Sequence, residues 1–119
     1  MEVDEFTERL ARIRQRFAAS LRSKIDDSFA ALPVLSDKDA DAIEAIVVTH
    51  RKLHEMCGIA PSIGFVATGK AARAAETVLR EPAKSKRPLT AEEVAAFTSD
   101  IDRLRTAAQS DLQSGTDQG

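Results

Sequence analysis

A chain of 119 residues has room for one core of ordinary size and too little for two. Its composition, 43% hydrophobic and 30% charged with no Trp or Tyr and few Gly or Pro, fits a soluble helical domain better than a sheet protein or a disordered chain. Seventeen basic against nineteen acidic residues give a formal charge of −2, which excludes a global positive field for nucleic acid or an anionic membrane surface. One cysteine can neither close an internal disulfide nor build a thiolate zinc site alone. The N-terminus is acidic and amphipathic, and no apolar run approaches the roughly eighteen residues that span a bilayer. A cytoplasmic protein without a membrane anchor is the expectation.

Four helices follow in chain order. From Val3 to Leu32, the residues Phe6, Leu10, Ile13, Phe17, Leu21, Ile25, Phe29 and Leu32 recur at steps of four and three, one apolar stripe that predicts a long helix facing a core. Pro33 is expected to stop it. Ser36 is placed to cap a second helix, with Asp37 and Asp39 in its first turn, running to about Ala60 because Pro61 follows. A third helix starts within Ser62–Phe65 and reaches about Arg80, with Ala67, Ala71, Ala74 and Ala75 small enough for close approach of a neighbour. Glu81–Leu89 reads as a basic, proline-punctuated loop. The fourth helix has the clearest start: Thr90 and Glu93 form a T-x-x-E capping box, and Leu89 and Val94 stand at the hydrophobic-staple spacing. Val94, Phe97, Ile101, Leu104 and Ala108 supply its core stripe. Residues 114–119 read as a disordered tail, leaving 1–113 as a single all-α, antiparallel four-helix bundle with short loops.

The stretch T-H-R-K-L-H-E-M-C-G-I-A-P-S-I-G-F, Thr49 to Phe65, holds both histidines, the cysteine and two of the five glycines. At about 100° per residue with His54 at zero, Ile46, Leu53, Ala42 and Ala60 fall between about −80° and −120° and mark the core direction. His54 is therefore on the flank, with His50 and Cys57 turned further inward. Arg51, Gly58 and Val47 share its side. An interior helix glycine costs about 1 kcal/mol relative to alanine. Gly58, four residues after His54, thus suggests clearance for a molecule approaching the imidazole, or else merely the approach of the helix C-terminus ahead of Pro61.

These residues resemble the signature of histidine-containing phosphotransfer (HPt) domains: a histidine, a glycine four later and a Gly-Phe or Gly-Leu pair ten and eleven later, here His54, Gly58, Gly64 and Phe65. The following G-F-V-A-T-G-K-A-A-R-A-A-E resembles the family's small-residue and closing-Glu pattern, with Ala72 and Glu76 in matching places. The opening A-R-I-R-Q-R-F-A-A-S-L also looks like the family's first bundle helix. The resemblance implies a cytoplasmic, monomeric phosphocarrier, working stoichiometrically and without turnover of its own. It would relay a phosphoryl group between aspartates of response-regulator receiver domains, or from a hybrid sensor histidine kinase, through phosphohistidine at His54. It implies no cofactor on the carrier, with Mg²⁺ belonging to the partner receiver. Neutral imidazole is a nucleophile near pH 7, and phosphoryl transfer asks mainly for positioning and nearby cations. Many members carry a lysine three residues after the histidine, where this chain has Cys57. The missing charge is expected from Arg51, or from Lys70 on the next helix. Ile43, Val47, Ile63, Phe65 and Val66 are the expected receiver-docking surface around His54, with Gly58 and Gly64 supporting the site.

Rival readings remain open at this point. His50, His54 and Cys57, at i, i+4 and i+7, could offer N, N and S ligands to a metal on one helix face. A plain docking bundle would make His54 a surface histidine and the apolar residues near it an ordinary patch. Hydrolysis by a Cys-His pair lacks an orienting third group and an oxyanion hole. Lys84–Arg87 reads as a solvated loop, with no aromatic platform for nucleic acid, and Phe6, Phe17, Phe29 and Phe97 read as packing.

Overall fold

The structure, a computed structural model, describes residues 4–31 and 40–117, and within them the chain is four helices: α1 (Glu5–Ala31), α2 (Ala40–Ser62), α3 (Val66–Ser85) and α4 (Ala91–Asp117). The helices run alternately up and down as a four-helix bundle, with α2 on α3 and α3 on α4 as the most extensive interfaces. The α2 stripe expected to face inward does so: Ala42, Ile46, Leu53 and Ala60 are all nearly inaccessible. Ile46, Leu53 and Ala60 meet Ala72, Ala75 and Leu79 of α3, Phe97, Ile101 and Leu104 of α4, and Leu21 and Ile25 of α1 in one continuous core. No described helix is long and apolar enough to cross a membrane. The expected stop at Pro33 and cap at Ser36 lie outside the described residues.

Local chemistry explains how the site-bearing helices end. The α2–α3 turn has the two hydrogen bonds of a Schellman stop: the Phe65 N–H donates to the Ala60 carbonyl at 2.8 Å and the Gly64 N–H to the Pro61 carbonyl at 3.2 Å. Gly64 takes φ +90°, a left-handed conformation that glycine adopts without penalty. Phe65 is then drawn into the core. Helix α2 runs two residues past the boundary expected at Ala60, because Pro61 in the last turn forgoes only one helical bond. Its ring packs on α3 at Gly69, where an added Cβ would come within 2.7 Å of Pro61 Cγ. The close approach thus rests on Gly69, a residue absent from the small set read from the sequence.

Helix α3 begins without a side-chain cap from Phe65. Asp111 of α4 supplies one across the bundle, its Oδ2 accepting from the Thr68 N–H at 2.8 Å and the Thr68 hydroxyl at 2.7 Å. At the other end, the loop expected over Glu81–Leu89 is corrected: α3 continues through Ser85, with Pro82 inside the helix and fully buried. Proline forfeits one backbone bond there, and burial of its ring against the core offsets the loss. The true stop is Lys86, at φ 52°. The capping box of α4 forms as expected, with the Thr90 N–H donating to Glu93 Oε1 at 2.9 Å and the Glu93 N–H to Thr90 Oγ1 at 3.1 Å. Arg87 adds two bonds to the same carboxylate, at 2.8 and 3.0 Å. Helix α4 extends to Asp117, into the segment expected as tail.

The packing role expected of Phe6 is also corrected. Phe97 is fully buried and Phe17 and Phe29 are partly so, whereas Phe6 is 68% exposed. Periodicity identified its face correctly, but the rest of the bundle does not reach that far along α1.

Candidate functional site

His54 stands on the outer flank of α2 with its side chain 72% exposed, and the carboxylate beneath it belongs to Glu76 of α3, only 5% exposed. The two meet because α2 and α3 run antiparallel from the Gly64 turn, which brings residue 76 level with residue 54. His54 Nδ1 lies 3.3 Å from Glu76 Oε1. A carboxylate can only accept, so Nδ1 is the donor in this contact, and in the neutral ring the lone pair is on Nε2. The arrangement therefore presents an exposed nucleophilic nitrogen on a ring fixed from below.

Glu76 is the hub of this cluster. Its burial alone would push the carboxyl upward; the hydrogen bond from His54, the charge of Arg80 and the two imidazoles outweigh that and hold it below the ordinary carboxylate range. Arg80 Nη2 is 3.4 Å from the second oxygen, Oε2. His50 Nε2 approaches Oε1 to 3.2 Å, within ion-pair reach but off the line of a hydrogen bond, so this buried nitrogen has no aligned acceptor among the described residues. The two imidazoles stack, with centroids 6.3 Å apart and planes inclined by 17°. His50 is thus a half-buried neighbour of the exposed ring, one turn inward.

The other expected site residues separate into those around the imidazole and those that build the fold. Gly58 is exposed, and a Cβ there meets nothing within 4 Å. No packing among the described residues calls for a glycine at that position. Gly64, by contrast, is required by the turn and acts on the helix stop. Ile43, Val47 and Ile63 are half-buried and Val66 is 51% exposed. Phe65 is corrected: at 1% exposure it is a core residue, edge-on to Phe17 at 5.3 Å and covered by the Arg14 guanidinium, and it cannot serve as docking surface. Ile59, which the sequence reading did not single out, is 46% exposed.

Arg51 and Lys70, the cations expected to compensate for Cys57, are exposed on the surface. The arginines whose charge reaches the cluster are Arg73 and Arg80, both on α3 and both missed in the sequence. Their spacing from Glu76, i−3 and i+4, puts them on its side of the helix and is the signal that could have found them. Cys57 is buried, and burial followed by the Glu76 charge pushes its thiol up, only partly opposed by Arg73 and Arg80. It is therefore a neutral, sheltered thiol, unsuited to attack or to ligation. Among the described residues no group of three His, Cys, Asp or Glu is placed to hold a metal ion, so His50, His54 and Cys57 do not assemble into the metal site weighed above.

Comparison with protein-family models, curated proteins and solved structures finds no match to this chain in any of the three.

Proposed function

We propose that this protein is a histidine phosphotransfer carrier that accepts and donates a phosphoryl group at His54 Nε2, exchanging it with receiver-domain aspartates or a hybrid sensor kinase. The observation that carries the reading is the pairing of an exposed imidazole with a buried carboxylate at Nδ1. In transfer onto the carrier, the Nε2 lone pair attacks the phosphorus of an aspartyl phosphate. The N–P bond forms, the acyl P–O bond breaks, and the leaving carboxylate keeps the electron pair. Nδ1 retains its proton, and the positive charge the ring acquires is balanced by Glu76 directly beneath it. The same pair works in reverse, which suits a carrier.

Two further features support this reading. Gly58 occupies an open position where alanine would stabilise the helix, so its value lies in contact with another molecule. Arg73 and Arg80 bring positive charge to the α3 side of the cluster, where many HPt domains use a lysine at the position of Cys57. The exposed Val66 and Ile59 and the half-buried Val47, Ile43 and Ile63 offer apolar surface for the receiver. Mg²⁺ and the acceptor aspartate stay with that partner.

The test is transfer from a panel of phosphorylated receiver domains to the wild type, His54→Gln and His50→Gln, followed by intact mass and acid lability. An acid-labile phosphoryl gain that survives loss of His50 and vanishes with His54 is expected. A folded wild type that gains nothing from a broad panel would instead assign the bundle to docking without phosphoryl chemistry.

A further inference from the structure

Glu76 offers one carboxylate oxygen to two imidazoles. Oε1 lies 3.2 Å from His50 Nε2 and 3.3 Å from His54 Nδ1, while Oε2 is taken by Arg80 at 3.4 Å. The phosphoryl chemistry above uses only the contact to His54. His50 Nε2 is buried and has no aligned acceptor among the described residues, although polar atoms so deeply placed are nearly always partnered. Of the two neutral tautomers, the one with its proton on Nε2 is favoured beside a carboxylate, since a lone pair there would face a negative oxygen. His50 thus presents a buried donor to an oxygen already engaged by its neighbour, and a small swing of the carboxylate serves one ring at the expense of the other.

We propose that His50 is a positioning residue for His54: by taking up a proton it draws Glu76 Oε1 from His54 Nδ1, and so governs which nitrogen of the exposed ring is free to attack. With both rings neutral, Oε1 holds the His54 proton on Nδ1 and leaves Nε2 open. A proton on His50 makes that ring the stronger claimant for the oxygen. His54, released from its acceptor, then carries its proton on Nε2 in part of the molecules, and a protonated Nε2 has no lone pair for phosphorus. The surrounding charges leave the two rings this one carboxylate. On α2, Cys57 carries a neutral thiol, and Arg51 and Glu55 are exposed. On α3, Arg73 and Arg80 are cations that oppose a second positive charge at the cluster. Lys52 points to the opposite side of α2 from His50 and pairs with Asp27 of α1 at 3.8 Å. On α4, the register set by Thr68 and Asp111 brings Arg103 level with Glu76, where it pairs with Asp100 at 3.5 Å. Glu76 is therefore the one carboxylate in contact with either imidazole among the described residues. The ring centroids are 6.3 Å apart, so a charge on one ring weakens proton binding at the other by about threefold in water-like surroundings, and by up to several tens-fold at an effective dielectric of about 20. The effect on attack rests on the carrier reading; the sharing of Glu76 does not.

The experiment is an imidazole ¹H–¹⁵N titration of the full, unphosphorylated chain, wild type and His50→Gln, from about pH 5 to about pH 8, where imidazole changes charge. Single-turnover transfer from a phosphorylated receiver is measured over the same range. Glutamine keeps an amide donor toward Glu76 and cannot take up a proton. In the wild type both rings should titrate in two steps, and the fraction of neutral His54 protonated at Nδ1 should fall as His50 becomes charged. In His50→Gln, with helix content unchanged by circular dichroism, His54 should titrate in one step with a constant tautomer ratio, and transfer should persist to lower pH than in the wild type. Independent one-step titrations in the wild type, or a His54 tautomer ratio that ignores the charge on His50, would overturn the proposal whatever the transfer assay shows. So would transfer that falls toward acid identically in the two proteins. Coupled titration in a chain that takes phosphoryl from no donor, a small phosphoramidate included, would uphold the shared carboxylate and overturn the carrier reading instead.

Discussion

Replacing Gly58 by alanine separates folding from function at one atom. Gly58 lies within α2, and Gly64 is the glycine with positive φ, so its backbone is ordinary helix. The added methyl meets nothing within 4 Å and introduces no clash. Alanine then removes backbone entropy from the unfolded chain, worth about 0.5–1 kcal/mol in a helix interior. For a domain of this size that raises Tm by about 2–4 °C. The same methyl projects into the open space one turn beyond His54, where a receiver must approach, and phosphoryl transfer is expected to slow by about tenfold or more. Thermal and urea denaturation read the first effect, and single-turnover transfer from a competent receiver reads the second. A lower Tm would refute the open-space geometry. A higher Tm with an unchanged transfer rate would refute the argument that the glycine exists for clearance.

Further outcomes follow from the contacts that position the site. Asp111→Ala should cost about 1–2 kcal/mol in urea denaturation by removing the cross-bundle cap on Thr68, whereas Asp111→Asn should recover part of it. Glu93 is held down to about 2, chiefly by its bonds to Arg87, which together with the smaller help of the Thr90 N–H outweigh burial, and Glu76 is also lowered. Carboxyls depressed in the fold bind fewer protons than in the unfolded chain, so their contribution is complete above about pH 4.5 and is lost as pH falls through their folded values. Stability measured from pH 7 to pH 2 should therefore decline on the acid side, and Glu93→Gln should flatten that decline; an unchanged acid limb would contradict the linkage. Cys57 should react with a thiol reagent far more slowly in the native protein than in urea, since it is buried and its thiol is pushed up; equal rates would show that the thiol is open to solvent.

What could be read from the chain, and what could not, divides along the range of the interactions. The start of α4 is legible because the capping box is made by residues three apart, and the inner face of α2 because its spacing alone sets the direction of Ile46 and Leu53. The exposed position of His54 follows from the same spacing. Pro82 misleads because a proline is locally a helix breaker, and only tertiary burial of its ring makes an interior place tolerable. Phe6 misleads because a stripe records which way a helix faces and not how far its neighbours extend. Glu76 could be matched to a family pattern, but its contact with His54 is a matter of register between two antiparallel helices, set by the Gly64 stop. Gly69 is decided by the same register, through Pro61. The link from Arg80 to the imidazole cluster passes through Glu76 and was invisible until that contact was known.

The most direct measurement is the chemical form of His54 before and after phosphorylation, read by long-range ¹H–¹⁵N spectra of the imidazoles in protein treated with a small phosphoramidate donor. Beforehand, the His54 proton should reside on Nδ1, held by Glu76, with Nε2 unprotonated. Afterwards, phosphorus should be bonded to His54 Nε2 with the Nδ1 proton retained, and His50 should be unmodified. Phosphorus on His50, bonding at Nδ1 of His54, or a His54 ring that carries its proton on Nε2 at the outset would contradict the role assigned to the Glu76 pair.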